Sequence, residues 1–468
     1  MSRLARDCLC LLLSLSLALS AALYPSPALA WGEFTLKDEK ELGEKFNVLI
    51  RSRMPLVQDA EIVSYVQDIV DRLSKSMPRQ PFPFTVSVIR HNAVNAFACP
   101  GGYIFVHTGL ILSMDHEAEV AGVIAHEMAH VTQRHLASRI ENSQYISILS
   151  VLGVLAGALM GGSAQAATMA GSMAAGQAAM LNYSRADERE ADQVGMNYLS
   201  KSGYSPKGMV GAFQILSRRQ WLLGGNLPSY LSTHPALAER VRDMEVRVSR
   251  LSERDRDRKG DDTRFLRVQA LVRARYADVE PALQAFAKQM QGQYRCMALM
   301  GMGILCSRQN RVKDASTYFE SALSCNPNDE LIVREAGSFH YLKGNKSLGG
   351  DLLRKAVSMN SNDTYALYYH ARNLSETGQT DQAVDYAQRV LRKEPEDPEL
   401  HELLARLYSD KRKMFEANLH MAYSALYSND KNRVKMFHDK AKGFAVSVQE
   451  KQTLERFEQR YKERKEFW

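Results

Sequence analysis

Cysteine and tryptophan are scarce, at six and three among 468 residues. So few cysteines exclude a scaffold built from disulfides. Fourteen prolines and 28 glycines are too few for a collagen-like or low-complexity chain. Neither sign of charge dominates, since 60 Lys+Arg against 53 Asp+Glu leave a net charge of +7. A mild surplus spread over this length is no nucleic-acid footprint without a localised patch, so no nucleic-acid partner is expected. Long apolar runs are few, and 45% hydrophobic with 24% charged residues excludes a polytopic membrane protein and wholesale disorder. At roughly 150 residues per domain, the length suggests two or three domains.

Two apolar stretches interrupt this average. The first carries Arg3 and Arg6, an apolar run from Cys8 to Leu23, Pro25 and Pro27, and then Ala28-Leu29-Ala30. A positive start, an apolar middle and a small-x-small end predict a secretory signal cleaved after Ala30. The compartment is then oxidising, the periplasm in a bacterium. The second runs from Asn142 to Ser184 without a single charge. Its arm Tyr145–Met160 is short for a membrane span, and the rest is diluted by Gly, Ser and Gln. We read a helical hairpin that packs over the active site, ahead of a membrane-surface hairpin and of a full span.

His126-Glu127-Met128-Ala129-His130 is an H-E-x-x-H string. It falls within Ala118–Leu136, which reads as a helix with Val120, Val123, Ile124 and Val131 on an apolar side. Residues four apart share a helix face, so both imidazoles can reach one zinc ion. Zinc lowers the pKa of a bound water, and Glu127 is placed to take its proton. The metzincin pattern needs Gly at 133 and His at 136; Gln133 and Leu136 exclude that class. A second helical segment supplies acids, with Glu188 and Asp192 on one face. Asp187 and Glu190 compete, but Glu190 lies about 200° around the helix from Glu188, so both cannot face one metal.

These motifs, together with Ser184–Gly195 and Asn95-Ala-Phe-Ala-Cys-Pro-Gly-Gly102 ahead of Thr108-Gly-Leu-Ile, resemble the gluzincin peptidase family that includes HtpX and the CAAX prenyl proteases. The resemblance implies one Zn2+ per chain, held by His126, His130 and Glu188, with Asp192 orienting His126 through its free ring nitrogen. Thr233-His234-Pro235 and the following Arg240 match a family pair beside the metal. His234 then either donates to the oxyanion or occupies the open zinc position and holds the enzyme latent. Arg240 stabilises developing negative charge. Without the resemblance, His234 reads as a helix-start residue before Pro235. His91, His107 and His135 have no ligand spacing, and His135 sits about 140° off the face of His130. Phe84–Arg90 and Tyr103–His107 read as strands. Asn95, Ala96, Phe97, Ala98 and Cys99 match the family's edge strand, which binds an extended peptide through its backbone.

The C-terminal half repeats every 34 residues. Gly303, Gly337, Ala371 and Ala405 form one series of small residues, and Ala315, Gly349, Ala383 and Ala417 another. Asp329, Asp363 and Asp397 mark the loops. This resembles the tetratricopeptide repeat, whose helix pairs stack around a concave surface. Thr263–Met290 reads as a weaker leading repeat and Val434–Phe467 as a polar terminal pair. Cys296 opens one repeat and Cys325 closes it, so they are the disulfide to test first. Four small buried side chains at Cys99, Cys296, Cys306 and Cys325 are the plainer reading.

The expected fold is mostly α. A signal peptide occupies 1–30, an α+β gluzincin metallopeptidase domain 31–250, a charged linker 251–262 and an all-α tetratricopeptide solenoid 263–468. Within the family, a signal peptide followed by such repeats resembles the periplasmic members that serve outer-membrane assembly. The resemblance implies unfolded or misassembled outer-membrane proteins as substrates and the outer-membrane β-barrel assembly machinery as the repeats' partner. The competing reading is a chaperone or adaptor whose peptidase is largely latent.

Overall fold

The structure, a computed structural model, describes residues 34–142, 183–222 and 234–465. The signal-peptide and hairpin expectations fall outside these residues, apart from the ends of the hairpin.

Helix α1 (Leu36–Arg53) starts at a capping box between Thr35 and Asp38. Helix α2 (Ala60–Ser74) is capped by the Asp59 carboxylate, which accepts from Glu61 N. Strands β1 (Thr85–Ile89), β2 (Ala96–Cys99) and β3 (Tyr103–His107) form one sheet in the order β1-β3-β2, with β1 parallel and β2 antiparallel to β3. Pro100-Gly101-Gly102 turns β2 into β3. Both glycines have positive φ, and a Cβ on Gly102 would come 2.5 Å from Pro83 O. The predicted edge strand is therefore a sheet edge from Ala96 to Cys99, with Asn95 O accepting from His107 N just before it.

Helices α3 (Thr108–Ser113), α4 (Glu117–Thr132), α5 (His135–Asn142), α6 (Arg185–Lys201), α7 (Lys207–Leu222) and α8 (Leu237–Ser249) complete the N-terminal half. The predicted helix Ala118–Leu136 ends at Thr132, because Arg134 adopts φ 55° and redirects the chain into α5. Helix α4 is buried continuously from Glu119 to Val131. Two glycines bring its neighbours close: a Cβ on Gly122 would lie 2.7 Å from Met209 backbone, and one on Gly195 would lie 2.9 Å from Ala125 O. The second contact brings α6 against the backbone at His126.

The charged stretch 251–262 includes a short helix, α9 (Glu253–Arg256), and is pinned rather than free. Arg258 donates to Ser200 O at 3.0 Å, and Asp262 binds the His116 ring at 2.6 Å. Beyond it, antiparallel helices follow as α10 (Thr263–Tyr276), α11 (Val279–Gln289), α12 (Arg295–Arg308), α13 (Val312–Cys325), α14 (Glu330–Leu342), α15 (Lys346–Met359), α16 (Thr364–Glu376), α17 (Thr380–Leu391), α18 (Pro398–Asp410), α19 (Met414–Tyr427), α20 (Lys431–Phe444) and α21 (Val448–Lys465). Asp329, Asp363 and Asp397 cap α14, α16 and α18. One apolar cluster runs unbroken from Val57 in the N-terminal half to Phe339 in α14. Gln269 of α10 seals the junction, donating to Ile111 O and Met114 O.

The small residues of the repeat act as close-packing points. A Cβ on Gly303 would touch the Phe319 ring at 3.0 Å, and one on Gly349 would come 2.5 Å from Tyr341 N. Tyr341 N is backbone and cannot swing away. Gly349→Ala is therefore expected to destabilise the repeats by about 1–3 kcal/mol, read as a lower urea midpoint. An unchanged midpoint would show that α14 and α15 separate freely. Cys296 and Cys325 form a disulfide with Cα atoms 5.5 Å apart, while Cys99 and Cys306 are free and buried.

Candidate metal centre

Three helices and one loop converge on a single buried point. Helix α4 brings His126, Glu127 and His130, α6 brings Glu188 and Asp192, and the chain entering α8 brings His234 and Arg240. All seven side chains are buried. His130 Nε2 lies 3.0 Å from His126 Nε2, and His234 Nδ1 lies 2.8 Å from Glu188 Oε1 and 3.4 Å from His126 Nε2. Glu188 approaches both His126 and His130 at 3.5 Å. Ligand atoms of His126, His130, Glu188 and His234 all lie within 4.8 Å of one another.

Asp192 and Arg240 stand behind this set. Asp192 Oδ1 is 3.0 Å from His126 Nδ1, the nitrogen turned away from His130. Arg240 grips Asp192 through two bonds of 2.8 and 2.6 Å and ion-pairs with Glu188 through its other terminal nitrogen. One cation thus holds both carboxylates of α6 in place. The two competing acids lie elsewhere: Glu190 is exposed with its carboxylate 3.4 Å from His135, and Asp187 caps α6 and pairs with Arg139.

The charge states follow from burial and neighbours. Burial disfavours the charged form of His126, but Asp192 and Glu188 outweigh it and push the imidazole up to about 9. Burial, with His126 and His234 close by, holds His130 well below its usual value. Burial also opposes the Glu188 carboxylate, yet His234 and His126 keep it far below the usual range. Glu127 is the exception. Its burial is only partly offset by His234 and His126, so its carboxyl is raised. Glu127 Oε1 is buried without a hydrogen bond, 3.5 Å from His234 Nε2.

Two imidazole nitrogens 3.0 Å apart cannot both carry a proton, and a carboxylate faces the same point. A divalent cation satisfies all of them at once, and imidazole with carboxylate is a donor set that suits one. The residues present therefore fit a metal ion.

Two contacts are not foreseeable from spacing. His135 Nδ1 lies 2.8 Å from His130 Nδ1, because the turn at Arg134 ends the helix on which His135 would face away from His130. Tyr183 stacks its ring on His130 with centroids 3.7 Å apart, and the Arg139 guanidinium lies 5.0 Å from the centroid of the Tyr183 ring. No motif marks Tyr183, though its place one residue before the Ser184 cap is a usable hint. Cys99, His130 and Tyr183 line a cavity of about 10 Å³.

Residues 58–248 match peptidase family M48, and residues 350–407 match a tetratricopeptide repeat. The chain carries an M48 peptidase domain ahead of tetratricopeptide repeats. Its M48 relatives include a putative beta-barrel assembly-enhancing protease of Vibrio cholerae, 36% identical over 47% of this chain and 46% of the relative. The beta-barrel assembly-enhancing protease of Escherichia coli K12 is 30% identical over 47% of this chain and 46% of its own length. The mitochondrial metalloendopeptidase OMA1 of Arabidopsis thaliana is 37% identical over 32% and 29%. The matched region is thus just under half the length of the first relatives. Among solved structures, a type IV pilus biogenesis factor, PilW, is 16% identical over 42% of this chain, with a TM-score of 0.31. The M48 assignment implies a metal cofactor, and the buried His/Glu set is where the described residues could hold one. Among the described residues, no helix is long and apolar enough to cross a membrane.

Proposed function

We propose that the chain is a zinc-dependent endopeptidase of the periplasm that cleaves misfolded or stalled outer-membrane proteins, with the repeats docking substrate or the assembly machinery. The observation that supports it most is the convergence of His126, His130 and Glu188 on one point with Glu127 beside it. The names of the M48 relatives support the outer-membrane setting. Zinc held by His126, His130 and Glu188 would polarise the scissile carbonyl and acidify a water molecule. Glu127, raised by burial, accepts the proton of the attacking water and returns it to the leaving amine. Asp192 fixes the His126 ring, and Arg240 fixes Asp192 and Glu188. With its guanidinium so engaged, Arg240 acts by positioning and by balancing charge. The outer edge of β2, from Asn95 to Cys99, aligns an extended substrate through backbone hydrogen bonds, which selects for unfolded chains.

Purified protein tests this. About one zinc per chain and chelator-sensitive cleavage of an unfolded outer-membrane protein are expected. A chain without zinc as isolated would overturn the site assignment.

A second reading, a chaperone or adaptor with a latent peptidase, is favoured by the burial of the site's side chains. His234 completes the four-ligand set and Tyr183 covers His130, so we assign His234 the role of a latch. His234→Ala is expected to raise the rate of cleavage several-fold at unchanged zinc content, followed with a fluorogenic unfolded substrate. A fall in rate would make His234 a donor to the oxyanion instead.

A further inference from the structure

The terminal helix pair, expected to be polar, exposes apolar side chains at its turn. Phe444, Val446 and Val448 are 48%, 83% and 74% exposed, and Met436 lies 43% exposed on α20. These residues are separate from the core of the pair, where Val434, Ala441, Leu454 and Phe457 pack against Phe415 and Leu419. The turn is built firmly. Glu450 accepts from Val446 N, Ser447 N and the Ser447 hydroxyl at 2.7–3.0 Å, and Glu450 N donates back to Ser447 Oγ. Exposure of the two valines is therefore a fixed feature and not fraying. Single exposed apolar residues need no explanation, but three within five positions of a projecting turn do.

The surrounding charge is basic. Residues 440–451 contain Lys440, Lys442 and Lys451 against Glu450 alone, and Glu450 is committed to the turn. All three lysines are exposed. The turn also lies at the opposite end of α21 from that helix's contact with the N-terminal half. Arg464, near the other end of α21, contacts Arg51 O and Glu396, and the sixteen rises from Val448 to Arg464 span about 24 Å of helix.

We propose that the α20–α21 turn is a membrane-surface anchor that inserts Phe444, Val446 and Val448 among the headgroups of an anionic phospholipid bilayer, with Lys440, Lys442 and Lys451 against the lipid charge. Three highly exposed apolar side chains on one turn offer a protein partner little to enclose, and lysine is depleted from protein interfaces. Lysines flanking an apolar wedge suit an anionic lipid surface, where their stems lie along the acyl boundary and their heads reach phosphate.

Cosedimentation of the full chain with vesicles tests it. Binding to vesicles of 30% phosphatidylglycerol in phosphatidylethanolamine is expected to exceed binding to phosphatidylcholine vesicles, and to weaken as salt is raised. The double variant Val446→Asp with Val448→Asp should lower partitioning about tenfold with an unchanged thermal midpoint. Lys440→Glu with Lys442→Glu should lower it and flatten its salt dependence. Absence of vesicle binding, or binding equal in wild type and both variants, overturns the proposal. So does binding to an acidic polypeptide such as polyglutamate without binding to vesicles.

Discussion

Glu127→Gln is expected to lower cleavage of an unfolded outer-membrane protein by about 10²- to 10⁴-fold, the range a general base contributes, while bound zinc stays at one per chain. The substitution keeps the shape of the side chain and removes only its capacity to take a proton. Glu127 is buried beside the His126–His130–Glu188 set without being one of the four clustered ligands. Loss of activity with metal retained therefore isolates proton transfer from metal binding. The raised carboxyl of Glu127 sharpens the expectation. Burial raises the Glu127 carboxyl above its ordinary value, in the direction that favours a group which takes a proton from water and returns it to the amine. Cleavage by Glu127→Gln at the wild-type rate, measured on the same preparation by metal analysis and gel densitometry, would remove Glu127 from the mechanism. Loss of zinc together with activity would instead assign it to metal binding.

The legible part of this site follows from periodicity. His126 and His130, and Glu188 and Asp192, are pairs four residues apart on single helices, so their shared faces follow from helix geometry alone. The 34-residue period places the repeat helices and their Asp caps for the same reason, and antiparallel helices bring Cys296 to Cys325. Contacts that depend on a break in periodicity are not legible. The left-handed Arg134 ends α4 and swings His135 back onto His130, and a single residue of that conformation has no compositional signature outside Gly and Asn. Tyr183 belongs to no periodic series, and its stacking depends on where α6 begins. The pinning of residues 251–262 is also hidden, since a charged run reads as solvated until its partners are known. Least legible is the joint between the halves, where Asp59 and Arg334 meet from 275 positions apart.

That joint should be where a single substitution does most damage to the fold. Arg334 is 1% exposed, and its guanidinium reaches Asp59 at 3.2 Å, Glu335 at 2.8 Å and Asp363 at 3.1 Å. Arg275 bonds Asp59 at 2.9 Å and Glu335 at 2.7 Å, and both guanidiniums lie over the Tyr365 ring. Two cations thus serve three carboxylates, with the α2 cap of the peptidase half at the centre. Burial opposes ionisation of Asp59, but Arg334 and Arg275 hold its carboxyl below the usual range. Its contribution to stability is accordingly intact above its unfolded pKa of about 3.9 and is lost only as the pH falls through that value and below. Arg334→Ala leaves the buried carboxylates of Asp59 and Glu335 and the half-buried one of Asp363 with one cation, and removing one member of a buried ionic set costs about 3–5 kcal/mol. The expected result is a marked fall in the urea midpoint at neutral pH, with protease-sensitive separation of the two halves. Adding Asp59→Ala removes one of the stranded charges, so the double variant should lose less than the sum of the two single losses. A strictly additive double variant, or a loss below about 1 kcal/mol for Arg334→Ala, would mean the network is solvated like a surface pair. The halves would then be held by the continuous apolar cluster alone.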